Sequence, residues 1–194
     1  MTKIIAIEGA DQVGKETQSR LLANHLKESG YKVALVEVPI VSNLVSYRLI
    51  YWMLSNGLAR RFPNVFQFVH FMNKYIFQES ELLRMKQEYD YIIFDRWSLS
   101  SVIYGNRDGA AAHMTLKMYG TLMSPDLTIV LHGQPFGARQ DDAYEKDRTF
   151  QACIVADYVV WVASHVDHRL IMNEGNPLAV HHKVIEALQD AKLL

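Results

Sequence analysis

Apolar residues recur along the chain in two alternating patterns. Lys3 to Glu8 is a compact, isoleucine-rich run that stops at a glycine, the pattern of a strand buried on both faces. Lys32 to Val38, Tyr91 to Asp95, Leu127 to Leu131 and His168 to Met172 share its character, short and bounded by polar or turn residues, and each is read as a strand. Between them the spacing becomes helical, as in Leu21, Leu22 and Leu26 early in the chain and Leu178, Val184, Ile185 and Leu188 near its end. Parallel neighbours need long right-handed crossovers, which helices supply, so the alternation predicts an α/β fold with a five-stranded parallel sheet between layers of helices. Ligands in such folds sit at the carboxyl ends of the strands. No repeat, low-complexity tract or linker breaks the order, and one domain over residues 1–194 is expected.

Composition narrows the classes. With 194 residues, about half of them apolar, the chain can bury a full core. Its 20 basic and 21 acidic side chains nearly balance, so no broad field exists to hold nucleic acid or an anionic membrane, and any phosphate must be bound locally. The single cysteine, Cys153, fits a reducing, cytoplasmic setting and offers no thiolate metal site. The first apolar run is too short for a signal peptide and no segment is long enough to span a bilayer.

Chemistry enters directly after the first strand. Gly9-Ala10-Asp11-Gln12-Val13-Gly14-Lys15-Glu16-Thr17-Gln18 precedes an amphipathic helix beginning near Lys15, which is the context a phosphate-binding loop requires. Its glycines let successive N–H groups turn toward the phosphates, the helix start adds partial positive charge, and Lys15 reaches the terminal oxygens. The expected fold is therefore the three-layer P-loop NTPase architecture. At the position after the lysine, where a hydroxyl normally serves Mg²⁺, stands Glu16, with Thr17 one step later. Glu16 is read either as a metal ligand or as a helix-start glutamate favoured by the dipole.

The loop, with an aspartate inside it and Thr-Gln after it, resembles that of the thymidylate kinase family. Asp95-Arg96-Trp97, followed by Ser100 and Tyr104, is similar to the family's Asp-Arg-aromatic signature. Weaker likenesses lie at Asn73-Lys74, at Pro125-Asp126-Leu127, and at Arg139, Tyr144-Glu145 and Phe150-Gln151. This last stretch resembles the family's lid, placed at about 134–148, and the helix leaving it.

The resemblance implies roles. The loop from Gly9 to Thr17 would hold ATP, and Asp11 would also accept a hydrogen bond from the acceptor's 3′-hydroxyl. Arg96 would grip the acceptor phosphate with its planar fork, and Asp95 would orient Mg²⁺ through water or position that phosphate. Pro39, Lys74, Ser100 and Tyr104 would line the acceptor pocket. His70 or Phe71 would stack on the base, while most other aromatics between Phe62 and Phe77 are expected in the core. Tyr144 would lie against the sugar and disfavour a ribose, or else fold onto the lid surface. Phosphoryl transfer needs cations around the migrating group. Gln12 leaves the loop without an arginine, so Arg139 is the preferred source, ahead of Arg148 and Lys146. His132, His181 and His182 are read as structural.

The expectation is thus an ATP- and Mg²⁺-dependent kinase of a deoxynucleoside monophosphate, dTMP first, acting as a homodimer. A kinase of another nucleotide or of a deoxynucleoside, and a nucleotide-binding module without turnover, remain the alternatives.

Overall fold

The computed structural model describes residues 1–133 and 148–194. The expected positions Arg139, Tyr144 and Lys146 lie outside the described residues.

The order is β1 (Lys3–Gly9), α1 (Lys15–Glu28), β2 (Val33–Glu37), α2 (Leu44–Ser55), α3 (Leu58–Arg61) and α4 (Pro63–Phe77). A π-helical turn (Gln78–Leu82) leads from α4 into α5 (Leu83–Glu88) and β3 (Tyr91–Asp95). Then come α6 (Ser98–Arg107), α7 (Ala112–Tyr119), β4 (Leu127–Gly133), α8 (Arg148–Ala163), β5 (His168–Asn173) and α9 (Pro177–Asp190). All five expected strands form, within two residues of their predicted ends, in one parallel sheet of order β2-β3-β1-β4-β5.

The central strand β1 explains its own composition. Ile5 and Ile7 enter one core with Leu22, Leu26, Ile154, Val184 and Leu188, while Ile4 and Ala6 enter the other with Phe77, Leu82, Trp97 and Tyr119. With helices on both faces, alternation disappears and the strand reads as apolar throughout. Register places Ile7 opposite Asp95 on β3 and opposite Ile129 on β4. The loop leaving β1 and the segment leaving β3 therefore emerge side by side at the carboxyl edge, where the strand order reverses. At the opposite edge the Asp126 carboxylate accepts the Ile4 N–H at 2.7 Å, so the Pro125-Asp126-Leu127 motif ties β4 to β1 away from that mouth.

The aromatics of α4 depart from expectation. Phe66 and Phe77 are buried, but Phe62, Phe68 and Tyr75 are exposed. The sheet covers only one stripe of a helix, and α2 and α3 take Phe66 into a separate small cluster with Ile50, Met53 and Ala59.

Candidate active site

The loop between β1 and α1 keeps its shape because side chains are missing where backbones meet. Gly9 has φ 141°, and a Cβ there would lie 2.2 Å from the Leu131 carbonyl oxygen. Gly14 caps α1 at φ 86°, and a Cβ would approach Asn173 Nδ2 to 2.8 Å. That amide instead donates to the Val13 carbonyl at 2.9 Å, fastening the loop to the end of β5. Val13 itself is fully buried in the core, and Gln12 takes a left-handed φ of 61°.

Lys15 is buried and its Nζ donates to the Ala10 carbonyl. Burial and the neighbouring Arg96 lower its pKa to about 7 against the opposing pull of Asp11, Asp95 and Glu8. An arriving polyphosphate would replace the carbonyl as partner and restore the full charge.

Across the mouth stands Arg96, one residue past β3, with a left-handed φ of 67°. Its backbone N–H bonds the Ile7 carbonyl at 3.0 Å. The guanidinium donates from Nη1 to the Gly9 carbonyl at 3.1 Å and from Nη2 to Asp11 Oδ1. Burial alone would lower its pKa, but Asp11, followed by Tyr104, Tyr158 and Glu8, outweighs burial and the net shift is upward. Asp11 also accepts from Tyr104 Oη at 2.9 Å and from Gln151 Nε2 at 3.0 Å, both at Oδ2. Burial raises the Asp11 pKa, yet Arg96, Lys15 and these two hydrogen bonds bring it below the ordinary value. Asp11, Lys15, Arg96 and Tyr104, chosen from the sequence, thus share one charged cluster.

Other expected residues sit differently. Lys74 is fully buried, its Nζ 2.8 Å from Ser101 Oγ, 3.0 Å from His70 Nδ1 and over the Tyr119 ring. Burial brings its pKa to about 7, with Glu8 opposing and Arg96 assisting. His70 is half-buried, and burial with Lys74 and Arg96 keeps its pKa well below the usual value. Phe71 packs against Tyr75 and Tyr119. Ser100 is buried and its hydroxyl turns back to the Trp97 carbonyl. Pro39 lies in the loop after β2, next to Ile40, whose N–H and C=O are both bonded by the buried Asn73 amide at 2.7 and 2.9 Å. Arg148 opens α8 and is exposed.

Two carboxylates near the loop suit Mg²⁺, a hard ion. Glu16 is exposed, as is Thr17, and pairs with Arg20 at 2.9 Å. Asp95 is half-buried at the strand end; burial raises its pKa, as do Glu8 and Glu37, against Arg96 and Lys15. A divalent ion beside Asp95 would reverse that penalty. Among the described residues no group of three or more His, Cys, Asp or Glu could hold a metal. This donor set fits an ion that keeps waters and takes further ligands from nucleotide phosphates, the habit of Mg²⁺.

Sequence reasoning passed over Glu8. It is fully buried, its Oε1 accepting the Trp97 N–H at 2.7 Å and its Oε2 facing Tyr158 Oη at 3.4 Å. The signal was present, because a carboxylate inside a doubly buried strand must have partners. Ser101 was overlooked beside Ser100, and Gln151 carried no assigned role.

A parallel sheet whose central strand feeds a glycine-bounded phosphate loop, with a lysine inside it and an arginine across from it, defines a P-loop nucleotide-binding protein. The thymidylate kinase family profile matches residues 7–156, and the chain belongs to that family. A thymidylate kinase of Caldanaerobacter subterraneus subsp. tengcongensis is 25% identical over 97% of this chain and 95% of its own length. A probable thymidylate kinase of Archaeoglobus fulgidus is 28% identical over 68% of this chain and 65% of its own length. One from Methanothermobacter thermautotrophicus is 39% identical over 52% of this chain and 50% of its own. The fold matches the solved thymidylate kinase of Candida albicans with a TM-score of 0.81, 20% identity and coverage of 99% and 93% of the two chains. That of Ehrlichia chaffeensis matches with 0.76, 18%, and 97% and 99%.

Proposed function

We propose that the chain transfers the γ-phosphoryl group of ATP to a deoxynucleoside monophosphate, dTMP first, giving ADP and the nucleoside diphosphate. The observation that carries this reading is the Arg96–Asp11 pair lying against Gly9 of the phosphate loop. It sets a second anion site beside the first, as transfer between two phosphates requires.

In this reading Lys15 and the loop amides hold the donor phosphates, and Arg96 exchanges part of its hold on Asp11 and Gly9 for the acceptor phosphate. A carboxylate offers about four acceptor positions; Arg96, Tyr104 and Gln151 occupy three on Asp11, leaving room for the acceptor's 3′-hydroxyl. His70 or Phe71 would stack on the base, with Lys74 bonded to both His70 and Ser101. Asp95, and Glu16 if it turns from Arg20, would hold Mg²⁺, which when bound shields the charge of the phosphates. Arg139 is the proposed lid cation and Tyr144 the proposed sugar contact, both by resemblance.

The apolar exposed faces of α2 and α4, with Val45, Trp52, Val65 and Phe68 all more than half exposed, support a homodimer; sedimentation velocity would read it as a doubled mass. ADP release measured with dTMP, dUMP, dCMP and thymidine tests the reaction. Turnover with dTMP above the others is expected, whereas binding of ATP and dTMP with no ADP formed in Mg²⁺ or Mn²⁺ would defeat it.

A further inference from the structure

Gln151 lies in the first turn of α8 and is buried. Its amide meets Asp11 of the loop at two points. Oε1 accepts the Asp11 backbone N–H at 3.1 Å, and Nε2 donates to Asp11 Oδ2 at 3.0 Å. These contacts fix which end of the amide is which, because the flipped amide would set donor against donor and oxygen against carboxylate. The next residue, Gln12, holds a left-handed φ of 61°, a conformation that a side-chain-bearing residue rarely adopts without support. The loop therefore needs an outside anchor at this point.

We propose that Gln151 is a positioning residue, holding the Asp11 backbone and carboxylate in place so that Asp11 in turn aims the Arg96 guanidinium. The inference rests on the reading above, in which Arg96 takes the acceptor phosphate. Tyr104 shares Oδ2 with Gln151, and Arg96 pulls on Oδ1. Without Gln151 the carboxylate keeps Tyr104 and Arg96, but the Asp11 backbone N–H loses the acceptor that Gln151 supplies.

Gln151→Glu tests this with one substituted group. Oε1 still accepts from the Asp11 N–H, but the donor to Oδ2 becomes a second carboxylate oxygen. The charged groups acting on Asp11 are Arg96 and Lys15, with the Tyr104 hydroxyl bonded alongside. Two carboxylates this close share a proton when the pH allows and repel when it does not. Thermal melting at each pH first confirms a folded variant. Relative to wild type at the same pH, so that titration of the nucleotide cancels, calorimetry should show dTMP bound about tenfold more weakly at pH 8 and within about threefold at pH 5.5. The KM for ATP should stay near wild type. In an Asp11→Asn background the substitution should lose this pH dependence.

Equal affinity at pH 8, or a loss of the same size at both pH values, overturns the assignment while wild-type turnover leaves the functional reading standing. A wild-type protein that neither binds dTMP nor forms ADP overturns both.

Discussion

The Arg96 guanidinium pairs with the Asp11 carboxylate across the mouth of the site while Arg96 itself holds a left-handed backbone at φ 67°. A bulky residue takes that conformation only where its surroundings demand it. Here the demand comes from both ends: its N–H is bonded to Ile7, and its side chain to Gly9 and Asp11. Arg96→Ala and Arg96→Gly should each lower kcat/KM for dTMP by about a thousandfold, since a charge-assisted two-pronged contact is lost. Arg96→Lys should recover part of that, keeping the charge without the fork. Urea denaturation should find the glycine variant more stable than the alanine variant by about 1 kcal/mol, because only glycine is at ease at this φ. Equal stabilities would mean the backbone is not strained there.

Lys15 separates stability from function. Its ammonium is buried and, in the free protein, bonded to a loop carbonyl, so its burial costs stability. Lys15→Met should lower kcat by at least about a thousandfold while leaving the unfolding free energy unchanged or raised. A variant that loses both together would assign Lys15 a structural role instead.

The sheet was legible from the chain because burial on both faces leaves a distinctive apolar signature, and the loop because Gly9, Gly14 and Lys15 can serve little else at that spacing. Side chains that answer to distant partners were not legible. Lys74 sits on an aromatic helix where a solvated lysine is ordinary, and only the packing of α6 and α7 buries it against Ser101 and Tyr119. Ser100 and Ser101 differ by one residue of helix phase, which the sequence does not resolve, and the structure points Ser101 at Lys74. Gln151 is far from Asp11 along the chain, so their contact depends on how α8 docks.

Lys74 makes a prediction about pH. Its pKa falls to about 7 in the folded protein, as does that of Lys15, whereas an unfolded lysine titrates near its ordinary value. Between those values the unfolded chain binds more protons, so stability rises with pH across the window, by up to about 1.4 kcal/mol per pH unit for each lysine. Below the folded value the cost of burying the charge is fully felt. Lys74→Met removes one of the two contributions. Urea denaturation at pH 6.5, 8 and 9.5 should show the wild-type rise reduced by roughly half, with the variant faring best relative to wild type at pH 6.5. Parallel curves for the two proteins would show that Lys74 keeps an ordinary pKa.

Glu8 links the core to the site. Its Oε1 holds the Trp97 N–H, the peptide immediately after Arg96, and Trp97 is itself locked by stacking on Phe94 at 4.2 Å and by its indole N–H on the Met123 carbonyl at 2.9 Å. The carboxylate thus fixes the turn from which Arg96 projects. Glu8→Gln keeps an oxygen for Trp97 but sets an amide against Tyr158, and should cost about 1–2 kcal/mol; Glu8→Leu leaves the buried N–H without a partner and should cost about 3 kcal/mol or more. Because the turn carries Arg96, the KM for dTMP should rise more than the KM for ATP, in that order of severity. Steady-state kinetics on both variants, paired with their unfolding curves, will read this. Equal effects on the two substrates would mean that Glu8 supports the fold without steering the arginine.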